Sequence, residues 1–83
     1  MIYIPKPLPL KITVRTKTYS DGTIKFWEDV NGNVLKLEYA NGKMEYAEYD
    51  NHHNLLLLKT PTSITKYTYD ETGEEITAET NIL

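Results

Sequence analysis

Eighty-three residues with a net charge of −3 and no cysteine make one domain, with no disulfide framework and no strongly basic surface to imply nucleic acid as the partner. Hydrophobic content is 40%, and seven tyrosines supply much of it. The chain therefore relies on half-buried aromatic rings with a wet tip for its apolar contacts.

Residues 1–10, MIYIPKPLPL, read as a proline-rich arm. Lys6 and the prolines interrupt the apolar run that a secretory leader requires, and no stretch is long enough to span a bilayer. The absence of cysteine points to a reducing, cytoplasmic setting. Residues 11–83 read as a single β-meander domain, with strands expected near 11–19, 23–30, 33–40, 43–50, 54–60, 63–70 and 74–80. No segment carries a helical apolar period. The expected fold is all-β, an antiparallel meander forming an open twisted sheet or a small, partly closed barrel.

Turn signals punctuate this pattern. Asp21-Gly22, Asn31-Gly32 and Asn41-Gly42 fall about ten residues apart, and such pairs supply the positive φ of tight hairpins. Two-residue type I′ turns at Asn31-Gly32 and Asn41-Gly42 would set Phe26, Leu37 and Tyr46 in one cross-strand row and Ile24, Tyr39 and Met44 in the next. Both rows would lie on a core face. Lys25 would face Glu38, and Glu38 would face Glu45, a like-charge pair that counts against the scheme. Leu55 to Leu58 break the alternation, which implies cover on both faces of that strand. The arm, through Ile2, Tyr3, Ile4, Leu8 and Leu10, or a second chain would supply it.

A longer period overlies the turns. Asp29, Asp50 and Asp70 begin similar segments about 20 residues apart, each reaching Gly, or His53 in its place, three residues later. Tyr49-Asp50, Tyr69-Asp70 and the Asp29, Gly32, Asn33 spacing resemble the tyrosine-aspartate repeats of Rhs-type bacterial proteins. The resemblance runs over residues 19–80. Trp27-Glu28-Asp29 stands in for the first Tyr-Asp. It implies tandem hairpins of the kind that build large β shells, and hence a self-assembling or shell-type module as one functional expectation.

No motif for catalysis, a metal or a cofactor is present, so the chain reads as a non-enzyme without cofactors. His52 and His53 are adjacent at a hairpin tip and lack the spacing of zinc ligands, so they read as exposed turn residues. Asp70, Glu71, Glu74 and Glu75 lack the ligand spacing of a calcium loop. Residues 1–25 carry Lys6, Lys11, Arg15, Lys17 and Lys25 against Asp21 alone, and the rest of the chain is acidic. Direct nucleic-acid binding is not expected from so few basic groups.

The same register puts Trp27, Val34, Tyr49, Leu56 and Leu58 in an apolar patch opposite the core. Trp27, Val34, Tyr49 and Leu56 are the candidate partner-binding residues, with Glu74 and Glu75 as outlying charges. A protein-binding module with a protein partner is the leading functional expectation. In size and character the chain is similar to the small inhibitors that phages and mobile elements direct at host defence systems, anti-CRISPR proteins among them. A homo-oligomer and a carbohydrate-binding module built on the tyrosine rows are further expectations.

Overall fold

The computed structural model describes residues 3–83; Met1 and Ile2, at the start of the expected arm, lie outside the described residues. Seven strands follow one another: β1 (Thr13–Tyr19), β2 (Gly22–Glu28), β3 (Val34–Glu38), β4 (Met44–Tyr49), β5 (Leu55–Lys59), β6 (Ser63–Tyr69) and β7 (Glu75–Ile82). Each pairs antiparallel with its sequence neighbours in a single sheet of order β1-β2-β3-β4-β5-β6-β7. The sheet stays open, with β1 and β7 at its edges, and the described residues contain no helix. The strands fall where the alternation of β-branched and aromatic residues between turn signals places them.

The turns differ from the type I′ expectation, and the difference decides the register. Gly32 N–H donates to the Asp29 carbonyl at 3.1 Å, and Asp29 N–H donates to the Asn33 carbonyl at 3.0 Å. The Tyr39–Lys43 loop repeats this, with Gly42 N–H on the Tyr39 carbonyl and Tyr39 N–H on the Lys43 carbonyl, each at 2.9 Å. Gly32 and Gly42 have φ of 83° and 86°. Among the described residues His53 alone of the non-glycines has positive φ, so neither Asn31 nor Asn41 adopts the conformation a type I′ turn demands. Both connections are three-residue loops that end in a left-handed glycine. The first turn also shifts: Tyr19 faces Gly22, so Ser20 and Asp21 form it. A Cβ on Gly22 would lie 2.5 Å from that of Ala40, so glycine is required there for packing.

A loop one residue longer moves every later pair by one position. In the first hairpin a bulge absorbs the shift. Glu28 faces Val34 but Trp27 faces Lys36, leaving Leu35 as the extra residue, and Phe26 meets Leu37 and Lys25 meets Glu38 as expected. The second hairpin shows no such irregularity, so Lys36 faces Tyr46, Leu37 faces Glu45 and Glu38 faces Met44. The expected Leu37–Tyr46 and Glu38–Glu45 pairs do not form. The slip separates the two glutamates and lets Tyr39 Oη donate to Glu45 Oε1 at 3.0 Å.

Because opposite residues share a face, the slip re-sorts the sheet. One row crosses all seven strands: Val14, Trp27, Lys36, Tyr46, Lys59, Ile64 and Asn81. Tyr46 thus joins Trp27. Phe26 and Leu37 occupy the other face with Arg15 and Glu45, and Ala47, Leu58, Thr65 and Thr80 form a further row there. The four leucines of β5 are half-buried, and Leu56 is the extra residue of a second bulge, between the Glu48–Leu57 and Tyr49–Leu55 pairs.

Residues 3–12 form no strand and lie on the Trp27 face, where the Tyr3 ring centre is 5.7 Å from that of Tyr46. Tyr3 Oη donates to Glu48 Oε2 at 3.2 Å, and Lys6 Nζ pairs with Glu48 Oε1 at 3.3 Å. The arm therefore docks through polar contacts, while Ile4 and Leu10 remain 80% and 104% exposed.

No second layer packs on the sheet. Ile64, 1% exposed, is the one buried hydrophobic side chain among the described residues. The radius of gyration is 13.8 Å, against about 12 Å for a compact chain of this length. The accessible surface is 6065 Å², against about 5,100 Å² for a compact monomer of this mass. Ile64 should accordingly be the position most sensitive to loss of side-chain volume. Ile64→Ala should lower unfolding free energy by about 3 kcal/mol in urea titrations, whereas Val14→Ala on the edge should cost about 0.5 kcal/mol or less.

Candidate binding surface

The 20-residue repeat has a physical basis at one end of the sheet. Asp29 Oδ1 accepts the backbone N–H groups of Asn31 and Asn33, at 2.9 and 3.0 Å, and Oδ2 accepts Asn33 Nδ2. Asp50 does the same with His52, Asn54 and Asn54 Nδ2. Asp70 takes the N–H groups of Thr72 and Glu74 and the Thr72 hydroxyl. Each loop turns through a left-handed residue, with Gly32, His53 and Gly73 at corresponding places. The tyrosine before the second and third aspartates ties each loop to the one before it. Tyr49 Oη donates to the Val34 carbonyl at 3.0 Å, and Tyr69 Oη to the Leu55 carbonyl at 2.6 Å. Val34 and Leu55 are the residues that follow the loops' closing asparagines. His53 Nδ1 also lies 3.0 Å from Asn33 Nδ2, so the strained histidine bridges two loops while remaining exposed.

These contacts set the charge states of the loops. Burial works against the Asp29 carboxylate, but the Asn33 and Asn31 amides outweigh it and hold its pKa below the usual value. The Asn54 N–H lowers Asp50, and the Thr72 hydroxyl followed by the Glu74 N–H lowers Asp70. Burial raises Tyr49 and Tyr69, helped by Asp29 for the first and Glu75 for the second.

The second cluster lies on the arm's face. Lys36 Nζ sits 4.7 Å from the centre of the Trp27 ring and 5.8 Å from that of Tyr46, a cation between two aromatic faces. Tyr3 extends the stack, and burial and Glu48 push its phenol up to about 12. A cleft of 340 Å³ opens between arm and sheet, lined in part by Tyr3, Pro7, Lys36, Tyr46 and Tyr49. The half-buried Trp27 adjoins this cleft through Lys36.

The residues expected to form one patch are distributed more widely. Trp27 lies in the aromatic row of the arm's face. Val34 and Tyr49 meet through the Tyr49 hydroxyl at the loop end, and Val34 faces Glu28 on the side that carries Phe26. Leu56, at its bulge, borders a groove between the last two aspartate loops, with Asp50, Tyr69 and Asp70. Glu74 and Glu75 are exposed at the start of β7. The candidate residues expected from the sequence do not include Tyr3, Lys36, Tyr46 or Glu48. A two-residue turn at Asn31-Gly32 already sets Lys36 opposite Trp27, and a three-residue loop at Tyr39–Lys43 would have added Tyr46 to that row, but nothing in the sequence signals Glu48 as the anchor of the arm.

The basic edge folds back on its own sheet. Arg15 forms an ion pair with Glu28 and lies 4.8 Å from the Phe26 ring centre, and Lys17 Nζ lies 5.3 Å from that of Tyr19. Among the described residues no group of three or more His, Cys, Asp or Glu side chains is placed to hold a metal ion, and no helix is long and apolar enough to cross a membrane. Comparison of the chain with family models, with curated proteins and with solved structures finds no match.

Two pH dependences follow. The three loop aspartates have depressed pKa values, so their contribution is complete above the unfolded value of about 3.9 and is lost as pH falls through the lower folded values. The urea midpoint should fall between about pH 4 and pH 2, and less steeply in Asp70→Asn. Tyr3 has the opposite sign. Its stabilisation is present below about pH 10 and disappears as pH rises towards the folded value of about 12. Ultraviolet titration of the phenols should lose its highest-titrating component in Tyr3→Phe.

Proposed function

We propose that the protein acts by binding another protein and not by catalysis. The observation that carries this reading is a single-layer sheet whose one tryptophan lies half-buried beside Lys36 and Tyr46, on a face with no second layer over it beyond the arm. Folding alone does not call for so much aromatic surface on that face. Trp and Tyr dominate binding energy where they are desolvated by a partner, and a flanking cation sharpens the geometry. The rigid sheet presents these rings with little further ordering cost.

The partner in this proposal is a host protein met in the cytoplasm, with the chain acting as a small inhibitor of host defence of the kind phages and mobile elements encode. Size, the lack of cysteine and the acidic second half support that choice by analogy. Trp27 is the central contact. Glu74 and Glu75 act at a distance, steering encounter with a basic surface.

The test begins with a pull-down from host lysate and continues with affinity measurements on the partner recovered. Trp27→Ala should keep a melting temperature near that of the parent and raise Kd roughly 30-fold, about 2 kcal/mol. Glu74→Gln with Glu75→Gln should slow association and flatten its salt dependence, with little effect on dissociation. A Trp27→Ala protein that folds and binds like the parent would remove this face from the interface.

A further inference from the structure

The two edges of the sheet are unlike. β1 carries Arg15 and Lys17, the charged residues that commonly protect an edge from adding another strand. β7 is the longest strand, almost wholly exposed, and has neither Lys, Arg nor Pro between Glu75 and Ile82. Its charges are Glu75 and Glu79, preceded in the last loop by Asp70, Glu71 and Glu74. Lys66 faces Glu79 from β6, but no ion pair within 4 Å joins them. Lys17 likewise enters no ion pair among the described residues.

We infer that β7 takes the β1 strand of a second copy of this chain, antiparallel, in a head-to-tail contact. Charge selects the occupant, since the acidic edge and the basic edge belong to the same molecule and each would repel its own kind. The geometry then selects the orientation. A parallel copy would keep the same face up and place Lys17 on the side of Ala78 and Thr80, away from Glu79. An antiparallel copy is turned over, and Lys17 comes to the side of Thr77, Glu79 and Asn81. With Lys17 opposite Glu79, Val14 falls opposite Ile82 and Thr16 opposite Thr80. The pairing covers two apolar side chains that are 50% and 78% exposed in the single chain. It also continues an alternation of charge across the strands, Lys66, Glu79 and then Lys17 of the second copy. Val14 neighbours Trp27 across the sheet, but the contact uses none of Trp27, Lys36 and Tyr46, so the charge-reversal variants test it apart from the binding of a foreign partner.

Sedimentation velocity of the full chain, from about 10 µM to about 1 mM, should show a mass that rises with concentration. Added salt should weaken the association by screening the edge charges. Lys17→Glu and Glu79→Lys should each weaken it by about fivefold or more. An equal mixture of the two variants should restore association to the parent level, because each then offers an edge that complements the other. In the parent protein, amide exchange of Thr77–Ile82 should slow as concentration rises, a readout that needs no variant. A chain that stays monomeric throughout would overturn the inference. So would a mixture that associates no better than either variant alone, or β7 amides indifferent to concentration.

Discussion

A carboxylate that accepts two amides of its own loop fixes much of this structure. Asp29, Asp50 and Asp70 each gather the N–H groups two and four residues ahead. Closing that geometry requires a loop of three residues with a left-handed position at its end. Loop length then sets the pairing, and pairing sets the face on which each side chain stands. The tyrosines before Asp50 and Asp70 depend on the same device, because each hydroxyl reaches a carbonyl that the preceding loop has positioned. The local hydrogen bond of one side chain is thus carried across strands and joins neighbouring repeats.

A sheet built this way needs little from distant parts of the chain. Every strand–strand contact joins neighbours in sequence, and the buried interior reduces to Ile64. Stability comes from ladders, cross-strand pairs and loop hydrogen bonds, not from a shared core. Such an architecture leaves both faces and both edges as surface. The arm is held by Tyr3 and Lys6 on Glu48, while Ile4 and Leu10 stay exposed.

The position of the strands was legible in the sequence because turn residues and alternation are local properties. The aspartate period was legible for the same reason, as was the Phe26–Leu37 pair. That pair survives because the Leu35 bulge offsets the longer loop, so a correct pairing followed from an incorrect turn. The second hairpin has no such compensation, and Tyr46 stands beside Trp27 instead of Phe26. The candidate patch was therefore assembled from side chains that the sheet separates. A like-charge pair between Glu38 and Glu45 was the warning available in the sequence, and the structure removes it by the slip.

The sequence by itself determined an all-β meander, the places of its turns and the repeat of its aspartate loops, since each depends on residues within a few positions of one another. Tertiary structure alone decided that Tyr46 joins Trp27 and Lys36 in one row, that Glu48 anchors the arm, and that Glu79 stands opposite Lys66 on that same face. Those outcomes depend on register, and register accumulates across hairpins. A bulge or one added loop residue reverses every face beyond it, and neither leaves a mark in the local pattern that the sequence displays.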